Sequence, residues 1–161
     1  MAWAKEGSTT ASGATDNLQI DTTSKKFNFA ISHVIPDTGN ISLQYRLDND
    51  SGSNYAFRSS DNGGTDGTAT SFDIGLFGVG INSTPIFGIL YAVDIDGEEK
   101  LSIGFGVVQR TAGATTAPQR RESVSKYNDG GSNTQATRFD AINYDTGDWG
   151  TNSNCMLMGT D

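Results

Sequence analysis

The sequence is poor in the residues that usually carry covalent or metal chemistry. It has one cysteine, Cys155, and one histidine, His33, among 161 residues. A single cysteine excludes a disulfide within the chain and is consistent with synthesis in a reducing cytoplasm. Because free cysteine is among the most buried residue types, we expect Cys155 to pack as a small apolar side chain.

Long apolar runs and positive charges are also scarce. No stretch of about 18 apolar residues could span a membrane, and the N-terminus lacks the basic region and apolar run of a secretory signal. Eleven lysines and arginines stand against 19 acidic residues, which gives a net charge of −8. Such a chain repels anionic polymers and surfaces, so we expect neither nucleic-acid binding nor membrane association.

Helical patterning is weak, whereas turn residues are abundant. Glycine accounts for 20 residues, and no segment shows a convincing apolar stripe at helical spacing. Several runs instead alternate with the period of two that strands require. The length fits one domain over residues 1–161. We therefore predict an all-β fold, an antiparallel β-sandwich of roughly nine to eleven strands, preceded by a polar arm over residues 1–16.

Two runs have apolar residues in informative positions. In residues 27–35 the large apolar side chains share one face with His33, while smaller residues occupy the other face. Residues 85–95 are apolar on both faces, which predicts a central strand with something packed on each side.

The next run, residues 101–107, places Gly104 and Gly106 opposite four large apolar residues. The missing side chains should let another backbone approach this strand closely. Asp96 and Gly97 lie between this run and the preceding one. The pair predicts a hairpin with a type I′ turn, which requires positive φ at both residues.

The longest polar segment covers residues 49–70 and is rich in glycine, aspartate, asparagine and serine. We expect it to cross the end of the sandwich as successive tight turns, anchored by Tyr55 and Phe57. Arg58 lies beside this anchor. Its guanidinium is expected to pair with an acidic residue or a carbonyl of the segment.

Four aspartates in or beside this segment raise the question of a calcium site. They supply hard oxygen ligands near glycine, but their spacing lacks the third ligand and the closing glutamate of an EF-hand. Ordinary Asx turns are therefore favoured, with a structural cation as the alternative, and no metal or cofactor is predicted. The residues are Asp48, Asp50, Asp61 and Asp66.

No arrangement of acid, base and nucleophile is evident, so we do not expect an enzyme, and no catalytic residue is assigned. His33 has neither a nucleophile motif nor a second histidine as partner and is expected in the core or at an interface. Arg110, Arg120 and Arg121 form the main cationic concentration, in a predicted loop over residues 109–121. This loop is either solvated or a contact for acidic groups of a neighbouring subunit.

Four segments together carry a resemblance to a known class of proteins: residues 50–58, 61–66, 121–127 and 147–161. In this order they resemble small β-sandwich structural proteins of tailed phages and related environmental viruses, of the kind that decorate a capsid or form a head or tail fibre. The resemblance covers most of the chain but departs from the usual pattern at Asn154, Cys155 and Met156, where β-branched residues are common.

The resemblance implies a jelly-roll-like subunit that is made in the host cytoplasm, resides in the virion and acts by assembly. Its expected partners are further copies of itself, in a trimer, and other virion proteins. The alternative is a carbohydrate-binding module of the adhesin type. That module would need an exposed platform of aromatic side chains, for which the candidates are Tyr55, Phe57, Tyr127, Tyr144 and Trp149.

Overall fold

The structure is a computed structural model that describes residues 2–71, 73–80, 84–111 and 113–161. Over these residues the chain consists of strands joined by turns and loops. The strands are β1 (Ala4–Thr10), β2 (Asn17–Asp21), β3 (Phe27–Val34), β4 (Pro36–Thr38), β5 (Ile41–Leu47), β6 (Tyr55–Asp61), β7 (Gly67–Ser71), β8 (Leu76–Gly80), β9 (Ile86–Val93), β10 (Lys100–Val108), β11 (Gln119–Tyr127), β12 (Arg138–Ile142), β13 (Asp148–Trp149) and β14 (Asn154–Thr160). In these described parts no helix is long and apolar enough to cross a membrane.

The strands form two main antiparallel sheets that pack against each other. The larger sheet has the order β1-β14-β3-β9-β10-β11-β6-β7, and the smaller sheet has the order β2-β12-β5-β8. Strands β13 and β4 form a short third ladder. The predicted all-β antiparallel sandwich is therefore confirmed, but the described residues form fourteen strands and not the nine to eleven expected.

The core lies between the two sheets and is centred on aromatic side chains. Tyr45 packs against Phe77 and Phe139, with ring centroids 5.0 and 5.1 Å apart, and its hydroxyl bonds to Ser32 Oγ at 3.1 Å. Cys155 is fully buried among these residues, as predicted. Burial raises the pKa of its thiol to about 12, so Cys155 remains protonated and serves as an apolar side chain.

The predicted close approach at β10 is confirmed. A Cβ on Gly106 would overlap the carbonyl oxygen of Phe77, and a Cβ on Gly104 would overlap the Phe77 ring. The hairpin between β9 and β10 is also present, since the Glu98 amide bonds to the Ile95 carbonyl at 3.2 Å. Its turn is not type I′, because Gly97 has positive φ (77°) and Asp96 does not.

Two segment predictions were wrong. Residues 49–70 do not cross the end of the sandwich; after a turn they form the hairpin β6–β7, which extends the larger sheet to its edge. Residues 4–10 of the expected arm form strand β1, paired with β14. Both segments gain order from backbone hydrogen bonds to a neighbouring strand, a contribution that does not depend on apolar side chains.

Candidate functional site

Strand β10 has its larger apolar side chains on the solvent side of the sandwich. Leu101 and Ile103 are 54% and 50% exposed, and Phe105 and Val107 are exposed as well. The inward positions hold lysine, serine and two glycines before Val108. An antiparallel strand that faces water on one side normally shows the opposite arrangement, with polar residues outward.

Strands β9 and β3, which follow β10 in the order of the sheet, also place large apolar side chains outward. In β9 the inward residues are Ile86, Gly88, Leu90 and Ala92, and the outward ones are Phe87, Ile89, Tyr91 and Val93. In β3, the inward residues are Asn28, Ala30, Ser32 and Val34, and the outward ones are Phe27, Phe29, Ile31 and His33. Three adjacent strands thus present large apolar side chains to solvent.

The strand register arranges these side chains in rows across the sheet. One row runs from Met158 through Phe29, Tyr91 and Ile103 to Val124, and the next contains Met156, Ile31, Ile89 and Phe105. We call the outward apolar positions of β14, β3, β9, β10 and β11 the apolar face. Its members are Phe27, Phe29, Ile31, Phe87, Ile89, Tyr91, Val93, Leu101, Ile103, Phe105, Val107, Val124, Met156 and Met158.

Aromatic rings gather on one part of the apolar face. The rings of Phe29 and Tyr91 stack with centroids 4.4 Å apart and an interplanar angle of 14°. The Trp3 ring packs edge-on against Phe29, with ring centroids 6.3 Å apart, and Trp3 remains 44% exposed. A cleft of about 280 Å³ opens beside Trp3, with Leu101 and Ile103 among its walls. The cleft offers space for an apolar side chain of a partner.

Charged side chains border the apolar face along β11 and β6. Register places Arg120, Glu122 and Lys126 on the same side of the sheet as Val124, and Arg58 lies directly across from Val124. Arg120 and Glu122 form an ion pair at 3.2 Å, and Arg58 pairs with Asp66 at 3.2 Å. The pairing predicted for Arg58 is therefore confirmed. This border carries both signs of charge, an arrangement typical of an interface rim.

The three arginines predicted as subunit contacts do not lie together in a loop. Arg120 and Arg121 belong to strand β11, and their side chains point to opposite sides of the sheet. Arg121 is mostly buried and binds Asp61 through two hydrogen bonds, which holds the pKa of that carboxyl below its usual value. Arg110 is exposed in the loop after β10. Ala112 of the predicted loop lies outside the described residues. Arg120 is the one of the three beside the apolar face.

The four aspartates considered as calcium ligands bind groups of the protein itself. Asp48 accepts hydrogen bonds from Thr137 and the Arg138 amide. Asp50 accepts bonds from the Gly52 amide, Asn54 and Tyr127, and so forms the expected Asx turn. Asp61 and Asp66 pair with arginines. Across the described residues, no group of three or more histidine, cysteine or acidic side chains could hold a metal ion.

The aromatic residues considered as a sugar platform do not form one. Tyr55, Tyr127 and Trp149 are buried and Phe57 is half-buried. The Trp149 indole donates to the Ser42 carbonyl at 3.0 Å. Tyr144 is exposed but lies beneath the guanidinium of Arg46. His33 is half-buried at one corner of the apolar face, opposite Phe87.

The apolar face was not identified from the sequence, although a signal for it exists. Alternation shows which residues share a face, but it does not show which face points inward. The useful signal is residue size, because β10 has glycine and serine on one face and leucine, isoleucine, phenylalanine and valine on the other.

Comparison of the chain with protein-family models, with curated proteins and with solved structures gives no match.

Proposed function

We propose that this protein is a structural subunit that works by homo-oligomeric assembly through its apolar face. The observation that carries the proposal is that β3, β9 and β10 place large apolar residues on the outside of the sandwich. Large contiguous apolar patches on soluble proteins mark interaction sites. The virion setting, as a capsid decoration or fibre subunit, is supported by the resemblance of four segments of the sequence.

An estimate of the buried area supports association as the role of this face. Each outward position covers roughly 33 Å² of a sheet, so the apolar face covers about 450 Å² in projection. Apolar patches of this size on soluble proteins are often functional interaction sites. The strength of the association depends on packing and complementarity and not on area alone.

Carbohydrate binding is a second candidate because Trp3, Phe29 and Tyr91 form an exposed aromatic group. A sugar site also needs polar groups placed to bond hydroxyls. The neighbours of this group on the apolar face are aliphatic side chains such as Val93, Leu101 and Ile103. The surface therefore fits an apolar protein partner better than a glycan.

Light scattering over a range of protein concentrations tests the assembly proposal. The expected result is a species larger than the 17.0 kDa chain at micromolar concentration. A protein that stays monomeric at high micromolar concentration would contradict it.

Intrinsic fluorescence with a glycan panel tests the alternative, because Trp3 is exposed and Trp149 is buried. A shift of tryptophan emission on addition of one glycan would favour sugar binding.

A further inference from the structure

We infer that the apolar face packs against the same face of a second copy, related by a twofold axis that passes near Ile89 and Tyr91. This inference rests on the proposed function and specifies its contact. Strand β9 lies between β3 and β10 in the larger sheet, and it is apolar on both faces. Its inward face is covered by the smaller sheet. The second copy supplies the outward cover that such a strand requires.

The size of the surface fits a dimer contact. The apolar face covers about 450 Å² in projection, which is more than half of the approximately 800 Å² that each partner buries in a standard stable interface. The pattern of an apolar centre with a charged and polar border also matches such interfaces.

The position of the apolar residues favours a twofold-symmetric dimer over the trimer that the resemblance implies. Three flat faces around a threefold axis meet only along their margins, so the centre of each face would line a channel and stay wet. In this protein the centre, around Ile89, Tyr91 and Ile103, is apolar, and the charged residues lie at the margins. Two sheets stacked about 10 Å apart cover that centre completely.

The face is compatible with its own copy because no charge lies at its centre. Arg58, Arg120, Glu122 and Lys126 lie on β6 and β11 at one margin of the apolar rows, and Lys5 of β1 lies opposite Met158 at the other margin. A twofold axis through the middle of the rows keeps like charges from being buried against each other at the centre. Such a contact is isologous, and therefore it closes on itself without forming a filament.

The surface is tested by placing one charge on the face and the same charge away from it. Ile103 is 50% exposed, so Ile103→Glu should fold normally as a monomer but bury an unpaired carboxylate in the dimer. We expect it to weaken association at least 100-fold. Thr134→Glu introduces the same charge at an exposed loop position and should leave association unchanged. Circular dichroism of both variants confirms that the sandwich remains folded.

The twofold geometry is tested by cross-linking introduced cysteines with a bismaleimide, because sheets stacked about 10 Å apart hold the paired thiols too far apart for a disulfide. Residues near a twofold axis face their own copies, so Tyr91→Cys should be captured as a covalent dimer. Thr134→Cys should not. The native thiol does not interfere, because Cys155 is fully buried.

The outcomes separate this inference from the proposed function. A wild-type oligomer that persists in Ile103→Glu would overturn the inference and leave assembly standing through another surface. A trimer without cross-linking at Tyr91→Cys would overturn the twofold. A wild-type monomer would overturn both, and would mean that the apolar face is covered by a different partner. A dimer that dissociates in Ile103→Glu and cross-links through Tyr91→Cys supports the inference.

Discussion

At the scale of single residues, the two glycines of β10 explain how the smaller sheet can lie so close to the larger one. The backbone of Phe77 occupies the space where a Cβ on Gly106 would be. A strand with large outward side chains can thus still be covered tightly on its inner side. Gly104 and Gly106 therefore determine how closely the smaller sheet packs on the inner side of β10. The large apolar residues of this strand take no part in that contact and face outward.

Substitution of Gly106 by alanine should therefore destabilise the fold. The added methyl group meets backbone atoms of Phe77, which cannot move aside as a flexible side chain would. Overpacking of this kind costs about 1–3 kcal/mol. Urea denaturation measures the effect, with Gly13→Ala as the control, because a Cβ on Gly13 meets no atom within 4 Å. Equal stability of the two variants would contradict this account of the close packing.

A second residue-scale feature is the buried ion pair of Asp94 and Lys100. Both side chains are almost fully buried, with Lys100 Nζ 3.3 Å from Asp94 Oδ1. The ammonium also donates to the carbonyls of Ile95 and Asn133 at 2.5 and 2.6 Å. The Ala136 amide donates to Asp94 Oδ2 at 2.9 Å. The pair therefore joins the β9–β10 turn to the loop before β12.

Lys100→Met should cost about 3–5 kcal/mol at neutral pH, because it leaves the Asp94 carboxylate buried without its partner. Burial already raises the pKa of Asp94 above 3.8, and loss of the ammonium raises it further. An acid whose pKa is higher in the folded state loses stability as pH rises through the interval between its unfolded and folded values. The deficit relative to wild type should therefore be smallest in acid and grow as pH increases.

Urea denaturation at several pH values measures this dependence. Lys126→Met is the matched control, since Lys126 forms an exposed pair with Glu99 at 3.3 Å. We expect that variant to change stability little at any pH. A Lys100→Met deficit that is the same at acid and neutral pH would show that lost packing, not the unpaired carboxylate, is responsible.

At the scale of elements, the β6–β7 hairpin shows where the sequence was informative and where it was not. Alternation in residues 27–35, 85–95 and 101–107 correctly predicted strands, since large apolar side chains mark the period. Strand β6 combines Tyr55 and Phe57 with polar residues, and β7 consists of glycine, threonine, alanine and serine. Both strands are held by ladder hydrogen bonds, to β11 and to each other. Edge strands of this composition are difficult to predict because their order comes from the neighbouring backbone.

Arg58→Ala should loosen the β6–β7 hairpin without unfolding the sandwich. Arg58 and Asp66 are both about half exposed and pair at 3.2 Å across the turn, so the expected loss is about 0–1 kcal/mol. Limited proteolysis should show faster cleavage around residues 62–66. Arg58→Lys keeps the positive charge and should resist cleavage nearly as well as wild type. Identical cleavage of wild type and Arg58→Ala would mean that the ion pair does not hold the turn.

At the scale of the whole molecule, the sequence predicted the sandwich but not the apolar face on its outer side. The fold follows from local alternation, turn residues and the absence of helical patterning. The candidate site depends on which face of β3, β9 and β10 meets the smaller sheet, and that choice is made by packing between distant strands. Arg120 is the one predicted contact residue beside the site, and it was singled out for its charge alone.

The net charge of the whole chain opposes self-association, whereas the apolar face favours it. Two copies that each carry −8 repel one another, and this repulsion is screened as the Debye length falls from about 30 Å at 0.01 M salt to about 10 Å at 0.1 M. Burial of the apolar face does not require ion pairs, and therefore added sodium chloride should strengthen association. Acidification toward the sequence pI of 4.4 should act in the same direction.

Sedimentation of the wild-type protein at low and moderate salt measures this effect, with Ile103→Glu as the control that should remain monomeric at both. Weaker association of wild type at higher salt would point instead to ion pairs between subunits. Arg120 and Arg58 at the border of the apolar face would then be the residues to replace first, because their guanidinium groups are exposed and able to reach acidic groups of a second copy. The sign of the salt dependence thus distinguishes an apolar contact from an arginine-mediated one.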